Sequence, residues 1–238
     1  MVEHDKHPMN VDEEILHYYL IPGMGADHRL FTNFELKYGI IHHLDWIPHE
    51  GSRNLPEYAA LMSERVTTKN NILIGSSMGG MTAVEMSRII KPLSTILVSA
   101  PTGRHEFPRV LKFVDSIRLH RALNAKQVSA ISGLADTFMG FKTPEQKQLF
   151  YDMLKKNGPE FLHFSVGAIL GWKNTAPPEG EYIQIIGSLD KLFSPKKIQT
   201  PYVIEGGGHF TAFEKGPEVS EIINKYIEQN ILPNLKRI

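Results

Sequence analysis

Gly75-Ser76-Ser77-Met78-Gly79 is a Gly-x-Ser-x-Gly pattern whose central residue, Ser77, has the setting of a nucleophile. A glycine on either side lets the backbone bend sharply and leaves the serine hydroxyl exposed at the bend. A serine hydroxyl is a poor nucleophile near neutral pH, so its chemistry needs a base to take the proton and a carboxylate to orient that base. His209, behind Gly206-Gly207-Gly208, sits on a loop able to fold over the serine and is the candidate base. Asp190, just past the apolar run Ile185-Ile186-Gly187, is the candidate orienting acid. The chain order Ser, Asp, His separates this set from the two protease orders of the same triad. Two backbone amides must then hold the oxyanion: that of Met78, after the nucleophile, and that of Met24, within Pro22-Gly23-Met24-Gly25.

Each of these residues also has a plainer reading. The Ser77 turn can serve as a packing turn or as a phosphate site at a helix N-terminus. His209 can be a loop histidine capping a carbonyl, and Asp190 a turn cap, with Glu205 as its rival for the acid role. The appearance of all three in order favours the catalytic reading. Ser76 lacks a glycine two positions earlier and is read as structural. His42 and His43 are adjacent in an extended run, so they face opposite sides and cannot share a metal. His4 and His7 lie in a polar arm, and His28, near the Met24 loop, is read as a surface residue. No metal or organic cofactor is implied.

These side chains need a scaffold of strand ends. Apolar runs predict strands at Ile15–Ile21, Ile40–Ile47, Asn71–Ile74, Leu93–Ala100, Tyr182–Gly187 and Pro201–Glu205. Helical periodicity appears at Arg29–Lys37, at Leu55–Thr67, after Ser77 up to Pro92, and from about Phe213 to Gln229. Strands alternating with helices imply an α/β fold, a parallel sheet covered on both faces. The alternation fails between Gly103 and Asn174, where helices are predicted at Arg109–Leu123, at Ala125–Met139, from Thr143-Pro144 to Asn157-Gly158, and from Pro159. Residues 103–174 therefore read as a helical insertion in a core made of 1–102 and 175–238. Phe138, Phe141, Phe161, Phe164, Leu170 and Trp172 read as its packing, and Trp172-Lys173-Asn174 is placed where it can lean over the site.

The 238 residues, 42% of them hydrophobic, are enough for one large domain with an insertion. Lysine plus arginine equals aspartate plus glutamate at 26 each, so no net charge favours nucleic acid or an acidic membrane. The absence of cysteine removes disulfides, thiol nucleophiles and thiolate metal sites. Residues Met1 to Pro8 lack the apolar core of a secretory signal, and no run approaches the roughly 20 apolar residues of a membrane span. The expectation is a cytoplasmic protein, with monomer and homodimer both open.

Taken together, Leu20-Ile21-Pro22-Gly23-Met24-Gly25, Gly75-Ser76-Ser77-Met78-Gly79-Gly80, Gly187-Ser188-Leu189-Asp190 and Gly207-Gly208-His209 resemble the α/β-hydrolase superfamily, in particular its small esterase-like members with a helical cap. Pro48-His49-Glu50-Gly51-Ser52 is similar to the family's Pro-Gly-His-Gly-x-Ser loop, imperfectly. Two departures stand out. Pro22-Gly23 replaces the usual His-Gly opening of the oxyanion loop, and the residues before Ile15 are too few and too polar for the family's initial hairpin, so a six-stranded sheet is expected. The resemblance implies a serine hydrolase acting on a small or medium ester or thioester. It also admits lyases, carbon–carbon bond hydrolases and amidases or aminopeptidases with the same three residues. A ligand sensor on the same scaffold is the non-enzymatic alternative.

Overall fold

A computed structural model describes residues 15–49, 51–109, 111–112, 139–199 and 201–235. Six strands, β1 (Leu16–Ile21), β2 (Gly39–His43), β3 (Asn71–Ser76), β4 (Ser94–Val98), β5 (Tyr182–Gly187) and β6 (Tyr202–Ile204), form one sheet in the order β2-β1-β3-β4-β5-β6. Every neighbouring pair is parallel. The chain steps outward from β1 to β2, then crosses back over β1 to begin β3 and continues to the opposite edge. The carboxyl ends of β1 and β3 therefore diverge, and in open parallel sheets such a switch point is where ligands bind.

Alternating side chains of the central strands point to opposite faces, and both faces are buried, as a parallel sheet requires. Tyr18, Leu20, Ile72, Ile74, Ile96 and Ile185 pack on one face beneath Val219 and Ile223 of α5 (Gly216–Tyr226). Tyr19, Ile21, Leu73, Leu97 and Ile186 pack on the other, against α1 (Leu55–Ser63) and α2 (Met78–Ile90). Pro56 lies in the first turn of α1, and Asn54 caps it by accepting from the Glu57 amide, which gives the helix a sharp start. Lys91, left-handed at φ 47°, ends α2 just before Pro92.

Between β4 and β5, α3 (Pro144–Leu170) starts at a Thr143 cap and carries Pro144 in its first turn. The break expected at Asn157-Gly158 takes the form of a kink inside this helix: Gly158 adopts φ 75° and ψ 162°, and Pro159 resumes the helical path. Leu154 and Leu162 join the core on the α5 side, while Phe161 joins the other, against Trp46 and Tyr58. The helices expected at Arg109–Leu123 and Ala125–Met139 fall largely outside the described residues, as do Phe138 and the polar arm with His4 and His7. After β6 come α4 (Thr211–Glu214), α5, a π-helical turn at Ile227–Ile231 and α6 (Leu232–Leu235).

Several expected elements are shorter than their sequence patterns, β4 and β6 by at least one residue at each end. In place of a helix over Arg29–Lys37 there is a 3-10 turn at His28–Phe31. The following backbone bonds instead to α5 side chains: the Glu35 amide donates to Ser220 Oγ, the Lys37 amide to Asn224 Oδ1, and Asn224 Nδ2 donates to the Glu35 carbonyl. β2 stops at His43; Leu44 still donates to the Leu20 carbonyl, and beyond it the Ile47 backbone bonds to the Tyr58 hydroxyl rather than to a neighbouring strand. α1 tightens after Ser63 into turns from Arg65 to Met62 and from Val66 to Ser63.

Candidate active site

At the carboxyl end of β3 the backbone turns into α2 through Ser77, which holds φ 52° and ψ −118° with its amide bonded to the Val98 carbonyl at 3.0 Å. A non-glycine residue at positive φ is strained, and such strain persists where the surroundings over-determine it. Here the surroundings are glycines in contact. A Cβ on Gly75 would lie 2.4 Å from the Gly79 carbonyl oxygen, and one on Gly79 would lie 2.2 Å from that of Ile21. The turn is so tight that α2 touches the strands directly.

The Ser77 Oγ lies 3.0 Å from His209 Nε2, and His209 Nδ1 lies 2.9 Å from Asp190 Oδ2. Asp190 is 5% exposed and His209 4% exposed, so the link between them is shielded from water. The other Asp190 oxygen accepts the amides of Leu192 at 2.8 Å and Phe193 at 2.9 Å, which fixes the carboxylate plane. Its rival, Glu205, is exposed and instead accepts from the Ser188 hydroxyl at 3.1 Å. Ser76 is buried within β3, away from this chain of bonds.

The loop after β1 faces Ser77 from the neighbouring strand. A Cβ on Gly23 would sit 3.4 Å from Ser77 Cβ, a measure of how closely this backbone approaches the hydroxyl. Met78 is the first residue of α2, so its amide has no intrahelical partner. Among the described residues neither the Met78 nor the Met24 amide donates a hydrogen bond. The Met78 amide thus lies at the N-terminus of α2, next to Ser77, and the Met24 amide in the loop that follows β1.

Other side chains set the position of this loop. Trp46 Nε1 donates to the Gly23 carbonyl at 3.0 Å. From α3, Asn157 Nδ2 donates to the Gly25 carbonyl at 3.1 Å, while Leu154 covers Gly25. Asp27 ends the loop and binds Arg29 and the α3 residue Lys156, the latter at 3.2 Å. Burial pushes the Asp27 carboxyl upward, but hydrogen bonds from the Arg29 side chain and backbone and from Lys156 outweigh it and bring the pKa down to about 2. Trp46, Asn157 and Lys156 carry no local motif in the sequence, because their partners come from other elements.

A cavity of about 80 Å³ adjoins Ser77 and His209 and is walled mainly by apolar side chains, among them Leu30, Met81, Phe150, Ile169, Phe193 and Phe210. Trp172 is not in this wall. It packs against Phe107 and donates from Nε1 to Glu85 at 2.6 Å, so the expected lean over the site is replaced by a fastening of α3 to α2. His28 is also outside it, held at the surface by Asp45 at 2.8 Å. His42 bonds to His17 at 2.9 Å, while the His43 ring lies 5.6 Å from that of His28, tilted to it by 56°. Among the described residues no cluster of three or more metal-ligating side chains occurs. No described helix is long and apolar enough to cross a membrane.

No family model matches the sequence, and no curated protein does. Solved structures do match. The esterase EaEST from Exiguobacterium antarcticum is 14% identical with a TM-score of 0.67, the match covering 90% of this chain and 92% of the esterase. A thermophilic esterase from Thermogutta terrifontis is 18% identical with a TM-score of 0.66 and 90% of each chain covered. The type II thioesterase YbtT of the yersiniabactin NRPS/PKS biosynthetic pathway is 17% identical with a TM-score of 0.62, over 92% of this chain and 94% of its own. At these identities the likeness is one of fold.

Proposed function

We propose that this chain, which has the α/β-hydrolase fold, is a serine hydrolase that cleaves small or medium carboxylic esters or thioesters through an acyl-enzyme. The observation that carries the reading is the unbroken line of hydrogen bonds from Ser77 through His209 to Asp190, with the serine held at a strained strand-to-helix turn. Esterases and a thioesterase among the similar structures support the same class of reaction.

In this mechanism His209 Nε2 takes the hydroxyl proton as Ser77 Oγ attacks the substrate carbonyl. Asp190 keeps the other imidazole proton on Nδ1, so that Nε2 presents its lone pair to the serine and the imidazolium that forms is stabilised. The amides of Met24 and Met78 receive the charge that develops on the carbonyl oxygen, and donors fixed in advance need no reorganisation at that moment. His209 then protonates the leaving alcohol or thiol. Water, activated by the same imidazole, attacks the acyl-enzyme and regenerates Ser77. The apolar wall of Leu30, Met81, Phe150 and Ile169 suits a hydrocarbon acyl group. On this reading residues 103–174 are a helical cap over a core of 1–102 and 175–238.

A panel of aryl esters and acyl thioesters of increasing acyl length tests the proposal. Wild-type protein is expected to turn over short or medium members, and Ser77→Ala to lose about six orders of magnitude in kcat, as removal of a triad serine does. Turnover that survives in Ser77→Ala would remove the serine from the mechanism.

A further inference from the structure

His209 stands on a loop with little stiffness of its own. Gly206-Gly207-Gly208 precedes it, with Gly206 at φ 70°, and consecutive glycines lose more backbone freedom on ordering than any other sequence. A base that must stay within hydrogen-bond reach of Ser77 therefore needs restraint from outside the loop.

Ser188 and Leu189, past the end of β5, bond Gly206 and Gly207, and Thr211 bonds Gly208; further restraint comes from the short segment Met139–Lys142, ahead of α3, and from Glu214 at the end of α4. Lys142 Nζ donates to the Gly206 carbonyl at 2.8 Å, and the Phe210 amide donates to the Met139 carbonyl at 3.1 Å. Between these points the Gly208 amide donates to Glu214 Oε2 at 3.4 Å, and Lys142 Nζ lies 3.7 Å from the same oxygen. A Cβ on Gly208 would lie 3.0 Å from the Met139 carbonyl oxygen, so the segment presses directly on the loop. The loop is thus held at residues 206, 208 and 210, on both sides of His209.

The Glu214 side chain is 1% exposed, and its other oxygen, Oε1, is buried with no hydrogen-bond partner among the described residues. Burying a carboxyl with one oxygen unsatisfied is unfavourable, and burial raises its pKa against the opposing influence of the Gly208 amide, Lys142 and Lys215. A group kept at such a cost calls for an explanation, and among the described residues its backbone contact is to the residue before His209.

We infer that Lys142 and Glu214 are positioning residues that clamp the Gly206–Phe210 loop and so hold the His209 imidazole between Ser77 and Asp190. The inference rests on the proposed role of His209. Neither residue touches the reacting atoms; both act through the loop. Met139 lines the cavity as well as bonding Phe210, so the same segment meets the acyl group and the base.

Lys142, about half exposed, is the substitution of choice, because its loss leaves the core intact. Lys142→Met is expected to lower kcat about tenfold with KM within about twofold, the scale of a lost hydrogen bond from a charged donor. The second-order rate of fluorophosphonate labelling at Ser77 should fall by the same factor, and Lys142→Arg should restore both. Glu214→Gln keeps an acceptor for the Gly208 amide and should stay within about threefold of wild type, whereas Glu214→Leu should match Lys142→Met. A readout independent of turnover is the downfield proton NMR resonance of His209 Nδ1–H, expected in the wild type and broadened or lost in Lys142→Met. If Lys142→Met keeps the wild-type kcat, labelling rate and resonance, or loses activity through KM alone, the clamp is wrong. Wild-type protein that shows the resonance but takes no label contradicts the serine-hydrolase reading, and loss of the resonance in Lys142→Met still supports the clamp.

Discussion

Trp46 Nε1 donates to the Gly23 carbonyl, and through that bond a residue beyond the end of β2 holds the loop after β1, whose Gly23 approaches Ser77. Trp46 is itself held by Phe161 of α3, with ring centroids 5.5 Å apart. The loop after β1 is thus supported from beyond the end of β2 and from α3 together.

Replacing Trp46 by Phe keeps the ring packing and removes the donor. The expected result is a loss of about three- to tenfold in kcat, with KM nearly unchanged, from one neutral hydrogen bond. Steady-state kinetics on the best ester of the panel checks this. A change confined to KM would show that the loop does not act in the transition state.

Asp190→Asn should be far more damaging than its size suggests. The Leu192 and Phe193 amides require an acceptor, so the asparagine oxygen turns to them and its NH₂ group faces His209 Nδ1. Nδ1 must then accept, the imidazole proton moves to Nε2, and the base can no longer take the serine proton. A fall of about 10⁴ in kcat with an unchanged fold is expected, the scale known for the equivalent change in a serine protease.

Gly79→Ala places a Cβ 2.2 Å from the Ile21 carbonyl oxygen and 2.3 Å from that of Pro22. Backbone cannot move away as a side-chain tip can, so strand and helix must separate. Destabilisation of about 3 kcal/mol or more is expected in urea unfolding, at or beyond the upper end for overpacked sites. Gly51→Ala, where no atom lies within 4 Å but φ is 79°, should show the cost of backbone strain alone.

Asp27 predicts an acid-sensitive contribution. Its pKa is lowered in the folded state, from 3.8 to about 2, so its stabilisation is present in full above the unfolded value and is lost as pH falls through the folded one. Thermal midpoints of wild type and Asp27→Asn should differ most above pH 4 and converge toward pH 2. A constant difference across that range would mean that packing, not charge, makes the contribution.

Much of this arrangement was legible in the sequence. Strands β3 and β5 and the Ser77 turn stand out because an apolar run and a glycine pattern are local signals, and local sequence determines them. The positions of Asp190 and His209 follow from strand ends in a parallel sheet, where carboxyl termini share one edge. The helix expected over Arg29–Lys37 failed because Ser220 and Asn224, distant in sequence, compete for its backbone amides. Trp172 illustrates the same limit, since its indole is claimed by Glu85 across the helix interface. The contacts of Trp46, Asn157 and Glu214 left no trace for a related reason: each bonds to a backbone group of another element, and no spacing rule records such a contact.

The central claim is that Ser77 is a nucleophile activated by His209, and covalent capture tests it most directly. Protein treated with a fluorophosphonate and digested should carry one adduct, on the peptide containing Ser77, and His209→Ala should slow its formation by several orders of magnitude. Absence of the adduct from Ser77, or equal labelling with and without His209, would contradict the account.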